Sequence, residues 1–164
     1  MNQSSDSYEV RRVIAQHDAS GVAQFIDQVL PCVPLGPNGS RTVLLWVTDK
    51  TPADNMDARD LAQSFAGITP AAGTALRIID ISPSETTAMH RTLSVDYVMI
   101  TKGSIDLELE GGATKTLHRG DVVVQRGTNH RWVNRSGEWA QMLAIPVSAM
   151  PVLIDGRRLD EIHF

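Results

Sequence analysis

The chain has one cysteine, Cys32, among its 164 residues. No disulfide can close within it and no cysteine-built zinc site is available, which is consistent with a reducing compartment. Cys32 sits in Leu-Pro-Cys-Val-Pro with no neighbouring base, so a thiol nucleophile is disfavoured. Long apolar runs are also missing. The most apolar stretch, Ala140 to Ile154, is too short to span a bilayer and is broken by Pro146, Ser148 and Pro151. The opening Met-Asn-Gln-Ser-Ser-Asp-Ser has neither the basic nor the apolar region of a secretory signal, so a cytoplasmic location is expected. Excess positive charge is absent as well: 15 Lys and Arg stand against 19 Asp and Glu, a net charge of −4. The basic residues are scattered, and nucleic acid is not an expected partner, because phosphate binding needs a concentrated positive footprint. Gly120 to Gly127 lacks a phosphate-loop lysine, and no helix-turn-helix precedes the strand-rich region.

What is present reads as one globular domain over residues 1–164, with residues 1–7 expected to be flexible; hydrophobic residues make up 42% and charged residues 21%. Short strands separated by turn residues dominate. Tyr8 to Ile14 and Val22 to Ile26 flank a turn at His17 to Gly21, Pro31 to Gly39 reads as a loop, and Thr42 to Val47 suits a buried strand. From residue 76 the predicted strands are Leu76–Ile81, Thr87–Thr92, Asp96–Thr101, Ile105–Leu109, Lys115–Leu117, Val122–Gln125, Arg131–Asn134 and Ala140–Ile145. Glu110-Gly-Gly112 and His118-Arg-Gly-Asp121 supply tight turns. One helix is predicted over Asn55 to Phe65, where Ala58, Leu61, Ala62 and Phe65 repeat at helical spacing. Regular short strands with glycine-bearing turns indicate an all-β sandwich or barrel.

Chemistry concentrates in two segments. Side chains alternate between faces along a strand, so His90, Thr92, Ser94 and Asp96 share one face if that segment is extended. By the same count His130, Trp132 and Asn134 share a face on a later strand. Two imidazoles and a carboxylate converging inside a small barrel suit either a divalent metal or proton transfer.

The spacing resembles the cupin superfamily, whose first motif is G-x5-H-x-H-x3–4-E-x6-G and whose second is G-x5-P-x-G-x2-H-x3-N. His90 falls on the first histidine, Asp96 on the glutamate with six residues before Gly103, and His130 with Asn134 on H-x3-N. Four positions depart from the pattern. Thr92 stands for the second histidine, Asp96 for glutamate and Ser84 for the opening glycine, while Arg126-Gly127 is one residue shorter than P-x-G. The resemblance implies a double-stranded β-helix (a jelly-roll barrel), often a homodimer, with a metal near the barrel centre.

On that basis the expected site is His90, Asp96 and His130, catalytic and holding a divalent metal (Fe, Mn, Ni or Zn). Thr92, Ser94, Gln125 and Trp132 are expected to line the substrate pocket. Trp46 and Tyr97 read as core or wall residues, and His17, His118 and His163 as solvated. The expected activity is that of a metal-dependent lyase, isomerase, dehydratase or decarboxylase on a small oxygenated molecule. The alternatives are a metal-free acid/base enzyme, an Fe(II) dioxygenase and a non-catalytic binding or sensor protein. One fold hosts all of these.

Overall fold

A computed structural model describes residues 9–162. The segment expected to be flexible, 1–7, and His163 lie outside these residues. In chain order the strands are β1 (Glu9–His17), β2 (Ala23–Pro31), β3 (Val33–Pro34), β4 (Arg41–Thr48), β5 (Thr74–Ile81), β6 (Ser94–Lys102) and β7 (Ser104–Leu109). They continue as β8 (Thr114–His118), β9 (Val122–Arg126), β10 (His130–Val133), β11 (Ala140–Ser148), β12 (Leu153–Ile154) and β13 (Arg157–Arg158). The strands form a six-stranded sheet ordered β3-β4-β5-β11-β6-β9 and a three-stranded sheet ordered β10-β7-β8. Two separate hairpins, β1-β2 and β12-β13, complete the fold. This is the double-stranded β-helix that the cupin resemblance implied.

The core lies between the two sheets and follows from strict alternation. Strand β11 buries Ala140, Met142 and Ala144 beside Ile81, Val98 and Ile100 of its own sheet, and these pack with Ile105, Leu107 and Trp132 of the other. Apolar side chains on one face of each strand leave water together, and truncating a buried one of this size costs about 2–5 kcal/mol. Strand β11 runs between β5 and β6. Its ladder to β6 is continuous through Pro146, whereas its ladder to β5 skips from the Ala144–Arg77 pair to the Val147–Thr74 pair. Proline has no N–H to donate, so the sheet loosens on the β5 side, beside Arg77. At the β6–β7 turn Gly103 has φ 71°, and a Cβ there would stand 2.7 Å from the Trp139 carbonyl oxygen. Only glycine fits this close approach.

The helix expected over Asn55 to Phe65 does not form; only a 3-10 turn at Leu61–Gln63 is helical. Aspartates that the periodicity ignores bind the backbone locally instead. Asp54 Oδ1 accepts the Met56 N–H at 3.0 Å, and Asp57 Oδ1 accepts the Arg59 N–H at 3.0 Å. Such turns compete directly with helical hydrogen bonds. Asp60 is drawn off by Arg12, which is 7% exposed. Arg12 also bonds Gln28 and the Leu45 carbonyl and stacks over Trp46, tying the β1-β2 hairpin to β4 and the 3-10 turn. The strand expected over Thr87–Thr92 is reduced to isolated bridges from Thr86, His90 and Arg91. Tyr97, expected in the core or a wall, points outward and is 49% exposed, opposite Val124 on β9.

Candidate functional site

His90 and His130 are held by the backbone before any side chain acts. Each donates its N–H to the other's carbonyl oxygen, at 2.8 and 2.9 Å. Their ring centroids then lie 4.3 Å apart, with the planes tilted at 48°. Beside this bridge the Thr87 hydroxyl oxygen accepts the Trp132 N–H at 2.9 Å, so a side chain stands in for a missing strand bond. Each imidazole Nδ1 lies 3.0 Å from a carbonyl two residues earlier, Ala88 for His90 and Thr128 for His130. A carbonyl only accepts, so Nδ1 carries the proton in both neutral rings and Nε2 is the basic nitrogen.

Asp96 lies in the β6 ladder between Pro146 of β11 and Gln125 of β9. Its Oδ1 is 2.5 Å from Ser94 Oγ, which is 2.7 Å from Thr92 Oγ1, and Thr92 Oγ1 is 3.5 Å from Asp96 Oδ2. His90, Thr92, Asp96, Gln125, His130 and Trp132 all line one inner cavity of about 50 Å³. The structure thus brings together six of the seven expected residues. Ser94 does not line it. It is 2% exposed and acts one step back, orienting Thr92 and Asp96. Asn134, on the second motif, is structural: its Nδ2 donates to the Ile81, Ser82 and Glu138 carbonyls.

The inner cavity adjoins an outer chamber of about 220 Å³, and Ile68, Arg77, Ile79, His90 and Trp132 border both. Arg77 was not picked out from the sequence, although its parity on β5 matches that of the buried Ala75 and Ile81. A lone arginine on the buried face of an apolar strand was the available signal.

Burial sets the electrostatics. It pushes the His130 imidazole down from 6.5 to about 4, helped by the charge of His90 and opposed by the Thr128 hydrogen bond. Burial also raises the Asp96 carboxyl, against the hydrogen bonds of Ser94 and Thr92 and the charges of His90 and Arg77. One cavity is therefore lined both by a histidine kept neutral and by a carboxyl biased toward its protonated form, a combination suited to moving protons.

The family model for the cupin domain matches residues 77–146, the span that carries this site. Phomopsin biosynthesis cluster protein C' of Diaporthe leptostromiformis is 40% identical over 96% of this chain and 90% of its own length. The cupin-domain-containing oxidoreductase srdB of Neurospora crassa is 30% identical over 91% of the chain and 79% of its own length. The chain belongs to the cupin family. Among solved structures, a putative ethanolamine utilization protein Q from Salmonella typhimurium superposes with a TM-score of 0.53. It covers 87% of this chain and 99% of its own, and at 12% identity it speaks to the fold alone. No helix among the described residues is long and apolar enough to cross a membrane.

Cupins often hold a divalent metal, and His90, Asp96 and His130 are the residues expected to do so here. The donor set does not fit one. Among the described residues no three His, Cys, Asp or Glu side chains gather closely enough to hold a metal ion. Asp96 is engaged by Ser94, and Thr92 presents a hydroxyl, a weak donor, where a third imidazole would complete the set.

Proposed function

We propose that this cupin binds a small oxygenated molecule and moves a proton on it by acid/base catalysis, with His130 and Asp96 as the exchanging groups. One observation carries the reading: a buried imidazole kept neutral faces the same cavity as a carboxyl that burial biases toward its acid form. In the proposed step His130 Nε2 removes a proton from carbon beside a carbonyl, and the electron pair moves onto the carbonyl oxygen. Protonated Asp96 shares its hydrogen with that oxygen. Return of the proton at a different carbon gives an isomerisation with no net oxidation or reduction. His90 keeps His130 in place through the paired backbone bonds, and Gln125 and Trp132 complete the walls. The name of the Diaporthe leptostromiformis relative, a biosynthesis cluster protein, supports a small organic substrate.

A second reading, oxidation or reduction with a bound metal, takes its redox part from the name of the Neurospora crassa relative, an oxidoreductase, and its metal part from the tendency of cupin domains to bind one. Elemental analysis of the purified protein separates the two, since the acid/base reading needs no bound metal for activity.

Solvent exchange tests the main reading. The protein is incubated in D2O with a panel of enolisable ketones, and loss of the α-proton signal is followed by NMR. Exchange faster with the native chain than with His130→Gln, and unchanged by a chelator, supports it. Equal exchange by both proteins across the panel refutes it.

A further inference from the structure

The cavity contains a cation that the proton-transfer reading leaves unused. Arg77 projects from β5 into the space shared by the inner cavity and the outer chamber. Its Nη2 donates to the Gly67 and Ile68 carbonyls at 2.9 and 2.8 Å, which fixes the guanidinium in place. Its Nε is buried and has no hydrogen-bond partner. Among the described residues no carboxylate lies within ion-pair distance of Arg77, and Asp96 acts on it only through space. A desolvated guanidinium with an open N–H leaves an unmet demand, because a buried donor without a partner has given up its water and gained no bond in exchange. A group supplied from outside relieves it.

We infer that Arg77 receives the carboxylate of a small, largely apolar substrate, held so that its reacting carbon lies against His130. The inference rests on the acid/base reading of this pocket and adds the substrate class to it. The chamber around Arg77 is walled by Leu35, Pro37, Ile68, Ile79 and Trp132, which suits an apolar body. Glu85 also borders the chamber, but its carboxylate is turned to the Ser40 and Ser82 hydroxyls. A phosphate is a poorer match. It needs several converging donors, whereas Arg77 is the one arginine or lysine that lines either cavity and its Nη2 is already committed. A carboxylate fits one charge-assisted bond with apolar surroundings.

The test compares two probes, 3-phenylpropanoate and 3-phenylpropanamide, by calorimetric titration at neutral pH without carboxylate buffer. The acid is expected to bind the native chain about 10-fold or more tightly than the amide. Arg77→Gln is expected to erase that preference, with its folding verified separately by an unchanged circular dichroism spectrum and a cooperative melt. Arg77→Lys keeps part of the preference. Equal binding of acid and amide by the native chain, or a preference that survives Arg77→Gln, overturns the inference. His130→Gln keeps Arg77 and is expected to retain the preference while losing exchange in D2O. Lost preference with exchange intact therefore overturns the carboxylate site alone. Intact preference with no His130-dependent exchange overturns only the acid/base reading.

Discussion

His90 and His130 bond to each other through their backbones in both directions, and this reciprocal bridge holds two imidazoles 4.3 Å apart, tilted at 48°. The proximity has an electrostatic consequence, since positive charge on His90 disfavours a second positive charge on His130. NMR titration of the native chain is expected to place the His130 midpoint at about 4. In His90→Gln it should move up toward the ordinary 6.5, and an unmoved midpoint would mean that burial acts alone.

The same shift predicts acid sensitivity. His130 has a folded value below its unfolded one, so between about 4 and 6.5 the unfolded chain binds a proton that the folded chain refuses. Stability is full above pH 6.5 and falls as the pH drops through that window, by on the order of 3 kcal/mol in total. Urea unfolding across this range is expected to show the loss in the native chain and a flatter profile in His130→Gln.

Asp96 runs the other way. Its folded value is raised, so its contribution is greatest at low pH and is lost as the pH rises through that value. Asp96→Asn removes the titrating group and keeps an oxygen for Ser94 to bond. The variant is expected to melt higher than the native chain at neutral pH and to lose solvent exchange by about 100-fold or more. A lower melting temperature would mean that the ionised carboxylate is a structural asset.

The strands and the His90–Asp96–His130 constellation were legible because both depend on fixed spacing. Alternation along β6 put Ser94 and Asp96 on one face, and the motif distances carried His130 to the same cavity. The helix misreading came from the same method: Ala58, Leu61, Ala62 and Phe65 keep helical spacing, but Asp54 and Asp57 hydrogen-bond the backbone into turns. Thr92 and Ser94 could not be ranked from sequence. Which hydroxyl faces the cavity depends on the bend that ends the extended segment before β6. Arg77 lies outside the motif, and its sequence signal, an arginine at the buried parity of an apolar strand, says nothing of the unmet hydrogen bond that the structure adds.

Ser84 occupies the family's opening glycine position, and its backbone has φ 60°, the left-handed region. A residue with a Cβ pays a steric penalty there. Ser84→Gly is expected to stabilise the chain by about 1 kcal/mol in urea unfolding, part of the relief being offset by the freer unfolded chain. Ser84→Val should destabilise it, and the reverse order would show that the Ser84 side chain makes a compensating interaction.

Arg12 joins four elements while almost fully enclosed, so truncating it strands Asp60 and Gln28 together. Breaking a buried ion pair from one side costs about 3–5 kcal/mol. Because the hairpin is a separate two-stranded sheet, the loss should fall locally. Hydrogen exchange in Arg12→Ala is expected to quicken across Val10–Leu30 while Val98 and Met142 stay protected. Uniform loss of protection would mean that the hairpin and barrel unfold as one unit.

Thr92 offers the sharpest test of how this cupin stands toward metals. Its hydroxyl lines the cavity with both imidazoles, so Thr92→His places a third imidazole beside His90 and His130. A ligand that binds only the folded state raises the melting temperature in proportion to the logarithm of its concentration over its dissociation constant. Zinc is therefore expected to leave the melting temperature of the native chain unchanged and to raise that of Thr92→His, with about one zinc per chain by elemental analysis. If the native chain itself binds zinc stoichiometrically and is stabilised, the two histidines and Asp96 rearrange into a metal set and the acid/base reading yields to the metal-dependent one. If neither protein binds, the Thr92 position does not present its side chain to the imidazoles. The variant also separates site from chemistry, because a filled metal site that abolishes solvent exchange would show that the proton passes through the nitrogen the metal now occupies.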